Sequence, residues 1–222
     1  MLDAIRLIGF EVRANWKQLL LLGITCALIF QIVMLLALVI RFQALPNYVH
    51  FYDWIGNVVH ILNSTPSWAD AASIISEEWL VEIGQMNYDY GTGLSIWSLN
   101  IVPSRLLVLT IMGALVALCF RLLKRDHCAI ASKQSAIAAI GGGSILVFMT
   151  NATMSWVVCC ATPSWVVGLA MLGLGVSTSL ALESMGPVMS LGGFTLLCIA
   201  CVILALKKSQ CLESLPGELD HA

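Results

Sequence analysis

Residues 19–40 read LLLLGITCALIFQIVMLLALVI, 22 positions without a charged side chain, bounded by Lys17 and Arg41. Held as a helix at about 1.5 Å per residue, such a run crosses a hydrocarbon core of about 30 Å. It is too long for the apolar part of a secretory leader and no small-x-small cleavage pattern closes it, so it reads as a retained span. The rest of the chain agrees: 59% of the 222 residues are hydrophobic and 11% charged, against about 25% charged in soluble domains. The sequence predicts an integral membrane protein whose main partner is the lipid bilayer, with no nucleic-acid partner expected.

The charges predict an orientation. Arg6, Arg13 and Lys17 precede the first span, and Arg121, Lys124, Arg125 and Lys133 follow a second at 105–123. Between Arg41 and Arg105 the chain carries Asp53, Asp70, Glu77, Glu78, Glu82 and Asp89 but no Lys or Arg. By the positive-inside rule the N-terminus and the basic loop 124–135 are cytoplasmic, and the acidic segment 41–104 lies outside a bacterial inner membrane.

Around these spans, residues 1–18 place Leu2, Ile5, Ile8, Val12 and Trp16 at helical spacing, with Arg6, Arg13 and Lys17 free to reach headgroups. They read as an interfacial amphipathic helix, or alternatively a partner-binding one. Pro103 opens the second span, where proline is tolerated. Further apolar stretches at 136–158, 164–182 and 188–206 precede a polar tail, 207–222. The expected fold is an all-α polytopic bundle of about five transmembrane helices. Four is the alternative, because five would leave Lys207 and Lys208 outside. Gly173, Ser177 and Ala181, like Ser135, Ala139 and Gly143, form small-residue stripes suited to close helix packing.

Segment 41–104 holds Trp54, Trp68, Trp79, Trp97, Tyr48, Tyr52, Tyr88 and Tyr90, too many aromatics for a plain connection. It is expected to fold as a small cap resting on the membrane. Within it, SIISEEWLVEIG (73–84) reads as a short helix capped by Ser73 or Ser76. His50, Asp53 and His60 are potential metal ligands, but one helix would not put all three on one face, so surface roles are the simpler reading for both histidines.

Eight cysteines are present: Cys26, Cys119, Cys128, Cys159, Cys160, Cys198, Cys201 and Cys211. Cys26 and Cys119 stand alone in spans, where a cysteine usually acts as a small hydrophobe. Cys198 and Cys201 are three apart and share a helix face, making them weaker metal candidates. Cys128 lies near Lys124 and Arg125, which favour its thiolate.

The pair Cys159–Cys160, three residues before Pro163, stands apart. Adjacent cysteines rarely bridge each other, but two soft sulfurs suit a soft cation such as mercuric or cuprous ion. Pro163 disfavours helix at Thr162 and removes a backbone donor. In a membrane such backbone occurs where protein buries it or a cavity adjoins it. Trp156 and Trp165 flank the pair and favour the interface.

Cys159, Cys160, Pro163, Leu169, Gly173, Leu182, Glu183 and Pro187, with 22 residues between Cys160 and Glu183, make a pattern that resembles the first hairpin of the mercuric ion transport proteins. The resemblance covers about residues 145–208. It implies that Cys159 and Cys160 receive a soft metal ion outside and pass it inward by ligand exchange. It also implies that Pro163 shapes the site, that Glu183 to Pro187 form the turn before the last helix, and that a metal-binding partner could stand outside. The alternative function is an accessory subunit or assembly factor whose cap docks a partner of a larger complex. An enzyme is not expected: no acid, base or histidine lies in mid-span. Thiol redox chemistry at the cysteine pair is the one catalytic option left open.

Overall fold

The computed structural model describes residues 2–89, 91, 93–124, 130–153, 156–158 and 176–214. Among them, three helices are long and apolar enough to cross a membrane: Ile5–Phe42, Pro103–Leu123 and Val188–Lys207. Ile137–Phe148 is a shorter apolar helix.

In chain order the elements are α1 (Leu2–Phe42), β1 (Tyr48–Phe51), α2 (Trp54–Ser64), α3 (Trp68–Glu77), β2 (Val81–Asn87), β3 (Leu94–Ile101), α4 (Pro103–Lys124), α5 (Ile130–Thr153), β4 (Trp156–Val158) and the last helix, α6 (Val176–Ser214). The molecule is therefore mostly helical but not all-α, because its cap is built on a four-stranded antiparallel sheet in the order β1-β2-β3-β4.

Helix α1 runs for 41 residues, roughly 60 Å and twice a bilayer core. The sequence suggested a separate helix over 1–18 leading into the span, and the structure has two helical stretches that meet at a kink at Asn15 (φ −125°, ψ 19°). There the Asn15 side-chain amide donates to the Glu11 carbonyl at 3.2 Å, the kind of local bond by which asparagine competes with the helix ladder.

The chain forms two compact units. The first comprises residues 1–26, 109–148 and 187–222, and glycines let its helices approach. A Cβ on Gly113 of α4 would fall 2.7 Å from Cys26 Cβ on α1, and one on Gly143 of α5 would fall 2.9 Å from the Gly193 carbonyl oxygen on α6. These contacts leave no room for a side chain. Leu109, Met112, Leu122, Val147, Leu197 and Ala205 are fully buried among these helices, and Arg121 donates to the Gln18 side chain.

The second unit comprises residues 27–108 and 149–186 and contains the cap. Side chains alternate across a sheet, and the register sorts them into two faces. Val49, Ile83 and Leu99 are cross-strand partners, as are Phe51, Val81 and Ile101, while Trp97 pairs with Gln85. This face is apolar apart from Gln85, which accepts a hydrogen bond from Trp97 Nε1 at 3.1 Å. The opposite face carries Tyr48, His50, Glu82, Gly84, Ser98 and Asn100. The apolar face packs on the end of α1: Trp97 and Leu99 form one core with Met34 and Leu38, flanked by Phe42, whose ring stacks on Trp97 at 6.3 Å.

Two segments differ from the sequence reading. SIISEEWLVEIG is not one helix: α3 ends at Glu77, is capped by Ser67 rather than Ser73 or Ser76, and Val81–Asn87 is a strand. The alternation of Val81 and Ile83 with Glu82 and Gly84 suits a two-faced strand, and hydrogen bonds to both neighbouring strands fix it. The apolar stretch 136–158 is likewise not one rod. Its helix ends at Thr153, and Trp156–Val158 joins β3 as an edge strand, with Val158 opposite Trp97. Open carbonyl and amide groups along β3 give these three β-formers a ladder to complete.

Candidate functional site

The sequence nominates Cys159 and Cys160 with Pro163, and all three lie outside the described residues, as does Cys128. What is described is the approach to them: β4 ends at Val158, in register with the cap sheet. Glu183 and Pro187 fall within the continuous helix α6 rather than in a turn before it. The run from Val176 to Pro187 carries no charge besides Glu183, and a helix that keeps its backbone bonds internal tolerates a proline in a membrane.

Cys201 corrects the sequence reading in another way. It does not act with Cys198: it is disulfide-bonded to Cys119 of α4, 82 residues away, with Cα atoms 5.3 Å apart. Cys198, on the same helix, is a free, exposed thiol. Cys119 is thus half of a cross-link between α4 and α6 rather than a lone hydrophobe, and both partners are buried. Nothing local in the sequence announces this pair, because helix packing alone brings the two residues together.

The two histidines are both exposed and are held by different elements. His50 stands on β1 with its ring edge-on to Tyr52 at 4.6 Å, and His60 lies on α2. Among the described residues no three His, Cys, Asp or Glu side chains gather closely enough to hold a metal ion.

The cap's polar face holds a group that sequence reasoning missed. Tyr48 donates its hydroxyl to one oxygen of Glu82 at 2.7 Å, and Tyr52 donates to the other at 2.6 Å. A Cβ at Gly84 would sit 2.8 Å from the Tyr48 hydroxyl, so glycine leaves the space in which the phenol crosses to Glu82. Burial, and after it the hydrogen bond and charge of Glu82, push the Tyr52 phenol well above its ordinary range. Tyr48 is also raised, first by burial and further by Glu82, with the Ser95 hydroxyl opposing. Both oxygens of Glu82 are engaged, which suits a structural clamp more than a general base. Across the sheet from Glu82, Asn100 is 3% exposed and its amide nitrogen has no hydrogen-bond partner among the described residues. The available signal was the period-two run of polar residues in β2 and β3.

Compared with known protein families, with curated proteins and with solved structures, the chain finds no match in any of the three.

Proposed function

We propose that the chain is a multi-pass protein of the bacterial inner membrane, its N-terminus cytoplasmic, that handles a soft metal ion as a transporter or metal-delivery protein. Cys159 and Cys160 bind mercuric or cuprous ion as thiolates and release it by ligand exchange. A mercuric ion displaces one proton from each thiol, and the resulting two-thiolate complex is neutral, the form a membrane-embedded site accepts most readily. The working topology has three spans among the described residues, since α6 runs unbroken from Val176 to Ser214 through the turn that five spans need.

The observation that carries this reading is strand β4, which ends on the cap sheet one residue before Cys159. In sequence the thiol pair follows directly on a strand of the cap sheet, which supports an ion arriving from the cap side. Titrating the purified protein with mercuric ion tests this. With Cys26, Cys128, Cys198 and Cys211 replaced by serine, one equivalent is expected, reduced to background when C159S/C160S is added, and unchanged stoichiometry after that addition refutes the reading.

A second reading, an accessory subunit or assembly factor, is favoured by helix α2. Ile55, Val59 and Leu62 recur there at helical spacing on the exposed side, the arrangement by which an amphipathic helix meets a partner's groove. Purification in mild detergent tests it: a stoichiometric companion supports this reading, and a monodisperse lone chain counts against it.

A further inference from the structure

We infer that the uncovered end of the cap's apolar face, centred on Val49 and Phe51, is seated in the acyl-chain boundary of the bilayer beside α1. Burial across this face is graded. On β3, Trp97 and Leu99 are 0% and 1% exposed against α1. On β2, Val81 and Ile83 are half-buried. On β1, Val49 and Phe51 are 54% and 74% exposed. Helix α1 therefore covers one side of a continuous apolar face and leaves the other side bare.

The depth of that face follows from α1. Arg41 closes the charge-free run of the span and marks the headgroup level, to which arginine side chains reach. Leu38 and Met34, which touch the sheet core, lie three and seven residues inside Arg41, or about 5 and 10 Å along the helix. The sheet is thus held beside the end of the span rather than above the headgroups. On α1 itself Leu36 and Ile40 are exposed at the same level, the surface a membrane helix turns to lipid. Val49 and Phe51 continue it.

Lipid is the occupant this chemistry selects. The cap has no Lys or Arg between Arg41 and Arg105, so its attachment draws on apolar burial and not on attraction to anionic headgroups. Strand β1 is a sheet edge, and unpaired edge groups are not tolerated in hydrocarbon. The seat is accordingly the boundary between acyl chains and headgroups, where the edge stays within reach of water. His50, between the two anchors in sequence, points to the opposite, polar face.

The wild-type protein in phosphatidylcholine nanodiscs, with a carbene-generating group on the lipid acyl chain, tests this by peptide mass spectrometry. Adducts are expected on Val49 and Phe51 as well as on Leu36 and Ile40, with none on His50. Adducts on Leu36 and Ile40 without any on the β1 pair would overturn it and leave the face to a protein partner or a second copy. A second measurement uses F51C and H50C with a charged maleimide in the same nanodiscs. The Phe51 position should react at least tenfold more slowly than the His50 position, and equal rates would overturn the proposal.

Discussion

Replacing Trp97 with alanine should release the cap sheet from α1. The ring is fully buried, stacks on Phe42 at 6.3 Å and touches Met34 and Leu38. Truncating such a residue costs about 3–5 kcal/mol through lost burial and the cavity left behind. Its indole also donates to Gln85, a bond worth about 1 kcal/mol net that falls within this range, so about 4 kcal/mol is a fair central value. At about 1.4 kcal/mol per factor of ten, the detached population should rise on the order of 1,000-fold. A glutamate-specific protease reads that population, because the cap offers Glu77, Glu78 and Glu82 but no lysine or arginine for trypsin. When reclosing outpaces cleavage, the cutting rate follows the open fraction. W97F, which keeps an aromatic ring and loses the bond to Gln85, should accelerate cutting only about fivefold. W68A, at an 80% exposed position, should change nothing. A W97A rate within tenfold of wild type would refute the claim that this ring holds the sheet to the helix.

Three further outcomes are expected. Alanine at Gly193 would place its Cβ 2.8 Å from the Gly143 carbonyl oxygen and should destabilise α5–α6 packing by about 1–3 kcal/mol, whereas alanine at Gly141 or Gly142, which meets nothing within 4 Å, should be neutral or stabilising in thermal unfolding. Trypsin cutting after Lys124 should leave the two fragments joined through Cys119–Cys201 on a non-reducing gel and separate on a reducing one, with C201S separating in both. Since Tyr48 and Tyr52 have raised pKa values in the folded cap, the native state holds their protons longer than the unfolded chain. Their contribution to stability should therefore be complete below about pH 10 and be lost as pH rises above it, which tyrosinate absorbance followed alongside cap proteolysis will detect.

The spans at 19–40, 105–123 and 188–206 were legible because a charge-free apolar run of about 20 residues matches the thickness of a bilayer and little else. Pro103 was legible as a helix start for a similarly local reason. The sheet was harder. Its strands are short, and a few apolar residues in a row read equally well as helix or strand. Trp156–Val158 became a strand because β3 had an open edge, which no local window reveals. Glu77 and Val81 looked like one amphipathic helix, although the change of period from helical to alternating between them carried the break. Cys119 and Cys201 meet only through helix packing, and the Tyr48–Glu82–Tyr52 clamp only through strand register. Residues 1–18 looked separable because charge enters there, and the kink at Asn15 falls three residues from that boundary.

The central functional claim, that Cys159 and Cys160 hold the ion, is met most directly by the X-ray absorption spectrum of the protein carrying one equivalent of mercuric ion. With Cys26, Cys128, Cys198 and Cys211 replaced by serine, the account predicts two sulfur atoms bound to the ion and their loss when C159S/C160S is added. Nitrogen or oxygen donors before that addition, or an unchanged sulfur signal after it, would contradict it.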